Sequence, residues 1–215
     1  MNHFHIINVK KREDRRENVI KQLNGLTHFT YSFMEAIEHT NGQIGCALSH
    51  LKLLKEAKER GDKHLIVFED DMKIMTDIST FEKRMIEIKD FCENDESDWD
   101  ILYLGGNIMH HDAINQKIKL LNKEFGLYQI ERAFCLHGVI WSKRAFDKFI
   151  SLEEMYNREQ HPEPIDVYTN LNAKKLIICP FLVYQEPGFS NITRRNESYL
   201  RAFEESEDFI LNSKE

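Results

Sequence analysis

The sequence predicts an α/β domain built on a single, mostly parallel sheet. Short apolar runs suited to buried strands, FHIINV at 4–9, LIVF at 65–68 and DILYL at 100–104, alternate with segments of helical periodicity. Only four prolines interrupt the alternation, and no repeat or low-complexity stretch stands out. An acidic cluster follows LIVF and a Gly-Gly-Asn follows DILYL. In open α/β sheets, ligands bind in the crevice beyond the carboxyl ends of the strands, so both clusters are expected to face one crevice.

FHIINV gives the first strand, and residues 15–24 read as a helix with Val19, Ile20 and Leu23 on one face and Gly25 as its stop. GQIGCALSHLKLLKEAKER, residues 42–60, is the clearest amphipathic helix. Ile44, Ala47, Leu48, Leu51 and Leu54 recur at helical spacing, and Gly61 ends it. After the LIVF strand, Ser79 with Glu82 predicts a capping box for a helix over 80–92. DILYL stops at Gly105-Gly106-Asn107. HGVIW (137–141) is a strand candidate, with Ser142 expected to cap a helix reaching about residue 152. In LIICPFLVY (176–184), Pro180 places the strand at an edge or breaks it. The tail from Asn196 is polar and acidic and reads as a loosely packed helix. The expected division is therefore a domain over 1–195 and a tail over 196–215.

A chain of 215 residues buries one sizeable core. A net charge of −7 with no long basic run argues against nucleic acid as a partner. Cys46, Cys92, Cys135 and Cys179 form no CxxC pair and read as reduced thiols, not a disulfide frame or a zinc site. The apolar run near the N-terminus is too short for a signal peptide, and no segment reaches membrane-spanning length. The expectation is a cytoplasmic protein whose contact with a membrane, if it works near one, is peripheral. Asn196-Glu197-Ser198 fits the N-glycosylation pattern, which carries no meaning in a cytosolic chain.

LIVFEDDM, residues 65–72, sets the chemical question. Glu69, Asp70 and Asp71 crowd the end of a buried strand, where like charges repel. An extended chain puts Glu69 and Asp71 on one face and Asp70 on the other, unless the strand bends. Carboxylates at i and i+2 can share one hard cation, Mg²⁺ or Mn²⁺, with room left for a diphosphate. A solvated acidic turn also accounts for three acids. The D-x-D-x-T pattern of some phosphatases is not met, because Glu69-Asp70-Asp71-Met72 lacks its spacing and its threonine.

Three stretches carry a resemblance to glycosyltransferase family 25, which includes bacterial lipooligosaccharide and collagen galactosyltransferases. IINVKKREDRRENV resembles the family's I-N-L-x-x-R-x-x-R-R opening, with Asn8, Arg12, Arg15 and Arg16 in place. GQIGCALSHLKLLKEA matches its G-x-[IL]-G-C-x-L-S-H helix, and LIVFEDDM is similar to its apolar strand ending in EDD. DILYLGG, HGVIWSKRAFDKF, PEPIDVY and PFLVYQEPGFSNI echo it more weakly, so the likeness spans roughly 4–192 in family order.

The resemblance implies a GT-A-type fold, a UDP-sugar donor, and Mn²⁺ or Mg²⁺ held by Asp71 first, then Asp70 and Glu69. Glu69 departs from a strict D-x-D and is the acid expected to turn instead to the ribose or an arginine. Asn8, Arg12 and Arg16, just after the first strand, are placed to meet uracil, ribose or phosphate, against a plain basic loop as the alternative. The Ser49–His50 pair lies near the donor in the family; otherwise it is a back-bonded serine and a histidine fixing a loop. Gly45 and Cys46 read as packing residues. Gly105 and Gly106 would let backbone approach a sugar and Asn107 bond its hydroxyls, with a plain turn as the alternative. His110-His111-Asp112 reads as an exposed loop. Asp166 in PIDVY matches a family acid on the acceptor side and is the candidate base, with Glu186 in reserve and a helix cap as its alternative. Gln185 and Asn191 are candidates to close over the donor diphosphate, with Arg194 or Arg195 neutralising it.

The implied activity is inverting, metal-dependent transfer of a hexose, galactose by preference, from UDP to a glycan, glycolipid or protein hydroxyl. A catalytically silent nucleotide-sugar-binding or scaffold protein is the alternative, and a metal-dependent phosphohydrolase a third.

Overall fold

The computed structural model describes residues 1–94, 98–109, 116–158, 163–190, 192 and 194–213. Along the chain come β1 (His3–Asn8), α1 (Glu13–Gln22), β2 (Thr30–Glu35), α2 (Gly42–Arg60), β3 (His64–Glu69), β4 (Met72–Ile74) and α3 (Ile78–Asn94). Then follow β5 (Ile101–Tyr103), β6 (Ile118–Asn122), β7 (Leu127–Ile130), β8 (Gly138–Ser142) and α4 (Lys143–Phe149). A 3-10 turn (Ile150–Leu152) leads to α5 (Glu153–Asn157), α6 (Ile165–Asn172) and β9 (Lys175–Ile178). The chain continues through β10 (Val183–Gln185), β11 (Gly188–Phe189), β12 (Asn196–Glu197) and α7 (Leu200–Asn212).

Eight strands form the main sheet in the order β2-β1-β3-β8-β5-β9-β7-β6. The pairings β1–β2, β1–β3 and β5–β9 are parallel, while β8 runs against both β3 and β5, and β7 against β9 and β6. β7 and β8 are thus the reversed strands in an otherwise unidirectional sheet. This is the α/β, mostly parallel architecture that the alternation of strands and helices predicts.

Side-chain alternation divides the core into two layers. Leu65 and Val67 of β3, Ile101 and Tyr103 of β5, and Val139 and Trp141 of β8 face α2, α4 and α7, contributed by Leu51, Leu54, Phe146 and Phe203. Ile66 and Phe68, Leu102, and Ile140 face the other way onto Val19 of α1 and Phe81, Met85 and Ile88 of α3. Asn41 caps α2 by accepting from the Gln43 N–H at 3.0 Å, and Gly61 closes it in the left-handed conformation (φ 75°).

Several local expectations change. Asp77, not Ser79, caps α3, accepting from the amides of Ser79 and Thr80. Glu82 instead reaches across to the amides of Thr27 and His28 at 2.7 and 2.5 Å. Ser142 donates to the Trp99 carbonyl and makes no side-chain cap, and the helix after it breaks at the 3-10 turn. The chain leaves the sheet at Pro180, and β10 pairs with β4 instead. The tail helix α7 is seated firmly. Phe203 stacks on Tyr184 with ring centroids 5.3 Å apart, and Glu207 accepts from the Phe181 N–H and the Tyr184 hydroxyl, both at 2.6 Å.

Gly105, expected to let backbone approach a sugar, is a packing position. A Cβ there would collide with the Val183 carbonyl oxygen, where β5 passes β10. Gly106 is closed in by Tyr103, Ile177 and Ala133. Gly105→Ala is therefore expected to lower unfolding free energy by about 1–3 kcal/mol, as overpacking does. Chemical denaturation checks this, and an unchanged midpoint would contradict the packing role.

Candidate active site

The crowded carboxylates are separated by the geometry of β3. Glu69 is its last residue and shares the face of Leu65 and Val67, so it points toward α2. There its Oε1 meets His50 Nε2 at 3.0 Å and accepts from the Cys46 thiol at 3.6 Å. The strand then turns at Asp70–Asp71, so Glu69 and Asp71 do not share an extended face. Asp70 is buried and fully bonded: Oδ2 accepts from Asn8 Nδ2 at 2.8 Å and the Val9 N–H at 3.2 Å, and Oδ1 from Arg15 Nη1 at 2.7 Å. Asp71 Oδ2 accepts from Arg15 Nη1 and Gln185 Nε2, each at 3.1 Å. Its Oδ1 is buried without a hydrogen-bond partner, as is Gln185 Oε1.

These surroundings set the charges. Burial, reinforced by the Glu69 charge and only partly offset by Arg15, pushes the Asp71 carboxyl up to about 7. Burial also acts on Glu69, but the hydrogen bonds from His50 and Cys46 and the nearby imidazoles outweigh it and hold that carboxyl below its ordinary value. Burial raises the Cys46 and Cys135 thiols well above their usual range, so both stay protonated. Among the described residues, Cys46, His50 and Glu69 are the one group of three metal-capable side chains whose ligand atoms lie within 4.8 Å of one another. With a protonated thiol donating to Glu69, this trio is a hydrogen-bonded cluster; a metal centre there would need the thiolate.

Two cavities meet at this point. The first, of 490 Å³, is floored by Glu69, Asp70 and Asp71 and carries the basic side chains Lys11, Arg15 and Arg194. The second, of 410 Å³, contains Asp166, Glu163, Asn107 and Tyr199, with no Lys, Arg or His among its described lining residues. Cys46, Glu69, Gln185, Ser190 and Ile192 line both, so they form the boundary between them. Asp166 sits in the first turn of α6, with Pro164 at the cap position. Its Oδ2 accepts a long, 3.5 Å bond from the Cys135 N–H, and burial raises its carboxyl above the ordinary value.

The sequence candidates distribute as follows. Glu69, Asp70, Asp71, Ser49, Gln185 and Arg194 line the first cavity, and Asn107 and Asp166 the second. Asn8 acts from beneath by holding Asp70. Ser49 is back-bonded to the Gly45 carbonyl at 2.7 Å and accepts from the Ile37 N–H, while His50 is buried and reaches the cavity only through Glu69. Arg12 forks onto Asp14, Arg16 lies over the Phe33 ring at 3.9 Å, and neither lines the first cavity. Gly105 and Gly106 line neither cavity. Glu186 turns away to Asn18 at 2.5 Å, and Arg195 pairs with Glu197 on the surface. Asn191 and His110-His111-Asp112 lie outside the described residues.

Arg15 stands in the opening motif without a role that the sequence assigns to it. The signal for it is helical spacing around buried Val19. Arg15, Asn18 and Gln22 lie on the same inward stripe, and each bonds the β4–β10 region or the acidic turn.

Comparison with known proteins bears on this geometry. The model of glycosyltransferase family 25 (LPS biosynthesis protein) matches residues 38–169. The chain is 22% identical over 231 residues to procollagen galactosyltransferase 2 of Mus musculus, covering 87% of this chain and 36% of that protein. It thus spans about a third of that relative's length. Over 66 residues it is 36% identical to the inactive glycosyltransferase 25 family member 3 of Homo sapiens, covering 31% of this chain and 11% of that protein. Among solved structures, mannose-1-phosphate geranyltransferase from Thermus thermophilus superposes with a TM-score of 0.48 at 11% identity, covering 83% of this chain and 74% of that one. The family match takes in the α2 helix, the acidic turn and Asp166, and the chain belongs to glycosyltransferase family 25.

Proposed function

We propose that the chain is an inverting, metal-dependent hexosyltransferase that moves galactose from UDP-galactose to an uncharged hydroxyl of a glycan, glycolipid or protein. The observation that carries this reading is the pair of adjoining cavities: one sets the cations Lys11, Arg15 and Arg194 around the acidic turn, and the other holds Asp166 with no Lys, Arg or His among its described lining residues. Lys11, Arg15 and Arg194 suit a diphosphate, and the second cavity suits a neutral acceptor beside a carboxylate base.

The donor set fits a hard cation. Asp71 Oδ1 and Gln185 Oε1 are buried oxygens without partners on two side chains that bond each other, and burial together with the Glu69 charge pushes Asp71 toward protonation. Asp71 and Gln185 would hold Mn²⁺ or Mg²⁺, with Glu69 close by; Asp70, fully bonded by protein, serves as support. When bound, the cation neutralises negative charge on the diphosphate.

Asp166 takes the proton of the acceptor hydroxyl, whose oxygen attacks the anomeric carbon from the face opposite the diphosphate. The bond from that carbon to the diphosphate oxygen breaks, its electron pair leaves with UDP, and the configuration inverts. A carboxyl raised by burial is the stronger base once ionised. No helix among the described residues is long and apolar enough to cross a membrane. We place the enzyme in the cytoplasm, with peripheral contact at the inner face of a membrane when the acceptor is lipid-linked, as in lipopolysaccharide assembly. The similarity to an inactive family member favours one alternative, a silent nucleotide-sugar-binding or scaffold protein.

Incubation with UDP-galactose, Mn²⁺ and a panel of neutral saccharide and hydroxyamino-acid acceptors, followed by UDP release and product detection, tests transfer. Asp166→Asn is expected to lower kcat about 10²–10⁴-fold, the range for loss of a general base, while UDP affinity is retained. In the wild type, kcat should fall on the acid side at a pH above the ordinary carboxylate range. Full turnover in Asp166→Asn would move the base elsewhere, and UDP binding without any transfer would favour the silent alternative.

Asp71 yields a stability prediction. A folded-state value of about 7 against an ordinary 3.8 means the carboxyl costs nothing at pH below both, increasingly more as pH rises from 3.8 to about 7, and a constant amount above that. Without divalent cation, Asp71→Asn should be more stable than wild type at pH 8, by up to about 4 kcal/mol, with the gain vanishing toward pH 4. Thermal melts across pH check this. Mn²⁺ should raise the wild-type melting temperature and leave that of the variant unchanged.

A further inference from the structure

We propose that Arg15 is a positioning residue that couples the Asp70–Asp71 pair to the seat of the β11–β12 strand pair over the first cavity. The inference rests on reading that cavity as the donor site. One guanidinium, with its side chain only 15% exposed, binds in two directions. Nη1 donates to Asp70 Oδ1 at 2.7 Å and Asp71 Oδ2 at 3.1 Å, and Nη2 donates to the Phe189 carbonyl at 3.0 Å. Phe189 belongs to β11, which pairs with β12 as Gly188–Glu197 and Phe189–Asn196. Phe189, Ser190, Ile192 and Arg194 form part of the cavity lining.

Arg15 bonds both the acidic turn and the Phe189 carbonyl, whereas Arg12 bonds only the latter. α1 is fixed against β4 and β10 by Gln22, which donates to the Met72 carbonyl and accepts from the Ile74 N–H, and by Asn18 on Glu186. The Glu186 N–H donates to the Asp71 carbonyl at 2.7 Å, so the approach to β11 starts at the acidic turn. Arg12 reaches the Phe189 carbonyl only at 3.4 Å, with its fork committed to Asp14. On the opposite side Arg194 donates to the Thr40 carbonyl at 2.8 Å, which ties the lining across to the loop before α2. Anything that draws Asp71 away from Nη1, a cation above all, acts on the same rigid fork that holds Phe189. A lysine supplies the charge but not the planar fork.

Hydrogen exchange on the full chain, followed at the amides of Gly188–Ser190 and Asn196–Glu197, tests the coupling in wild type, Arg15→Lys and Arg15→Ala. The Ser190 amide, which donates to the Arg195 carbonyl, is a direct probe. Both variants are expected to exchange there about tenfold faster, the loss of one charged hydrogen bond, while α3 exchanges as in wild type and so reports an intact fold. Arg15→Lys is the discriminating variant: the Glu69 amide, which donates to the His137 carbonyl, stays protected while β11–β12 exchanges faster. Restored protection of β11–β12 in Arg15→Lys, or no change in Arg15→Ala, would overturn the proposal.

In a second arm, UDP with Mn²⁺ should raise protection of β11–β12 in wild type and not in Arg15→Lys. An equal rise in both would overturn the coupling. Absence of UDP binding by calorimetry would instead sink the donor reading, and the first arm would still decide the role of Arg15.

Discussion

Three carboxylates at the mouth of one buried strand repel one another, and the site is arranged around answering that repulsion. Each acid is met from a different direction. Glu69 is taken by His50 and Cys46 of α2, Asp70 by Asn8 of β1 and Arg15 of α1, and Asp71 by Arg15 and Gln185 of β10. The two sides of the sheet therefore converge at residues 69–71. Only Asp71 is left incompletely balanced, with a buried oxygen unbonded and its carboxyl pushed up to about 7. Hydrogen bonds settle Glu69, the Arg15 guanidinium with Asn8 settles Asp70, and the third acid holds the uncompensated field.

The alternation of β3 supplies this convergence. The period that sends Val67 to one core layer and Phe68 to the other also sends Glu69 toward α2 and lets the turn carry Asp70 toward α1. β8, inserted antiparallel between β3 and β5, brings the stretch before Gly138 beside the acidic turn: the Glu69 N–H donates to the His137 carbonyl. Gly45 lets α2 press close to the loop after β2, because a Cβ there would strike the Ile37 carbonyl oxygen. The partial burial of Glu69 and Asp71 makes their charges felt in the first cavity, which both line.

Much of the fold is legible in the sequence. α2 runs over 42–60 as its spacing predicts, because Ile44, Leu51 and Leu54 mark one stripe and Gly61 supplies the left-handed stop. The strands read from apolar runs, β1, β3, β5, β8 and β9, are the ones buried on both faces. β2 and β6 lie at the sheet edges, where TYSFME and IKLLN have no buried residue and hence no continuous apolar run. The acidic turn is visible as an electrostatic anomaly. Its partners are harder to see: Arg15, Arg12 and Arg16 are chemically alike, and only the placement of Val19 says which faces inward. Gly105 and Gly106 look like a sugar-facing turn because a glycine's two uses, close packing and ligand approach, leave the same letter in the sequence.

Sugar transfer at this site requires nucleotide binding at the Asp71 cavity. The most direct measurement is a calorimetric titration of UDP into wild type and Asp71→Ala, with and without Mn²⁺. Binding that requires Mn²⁺ in wild type and disappears in Asp71→Ala is the predicted result. No UDP binding under either condition, or binding of equal strength in Asp71→Ala, would contradict it.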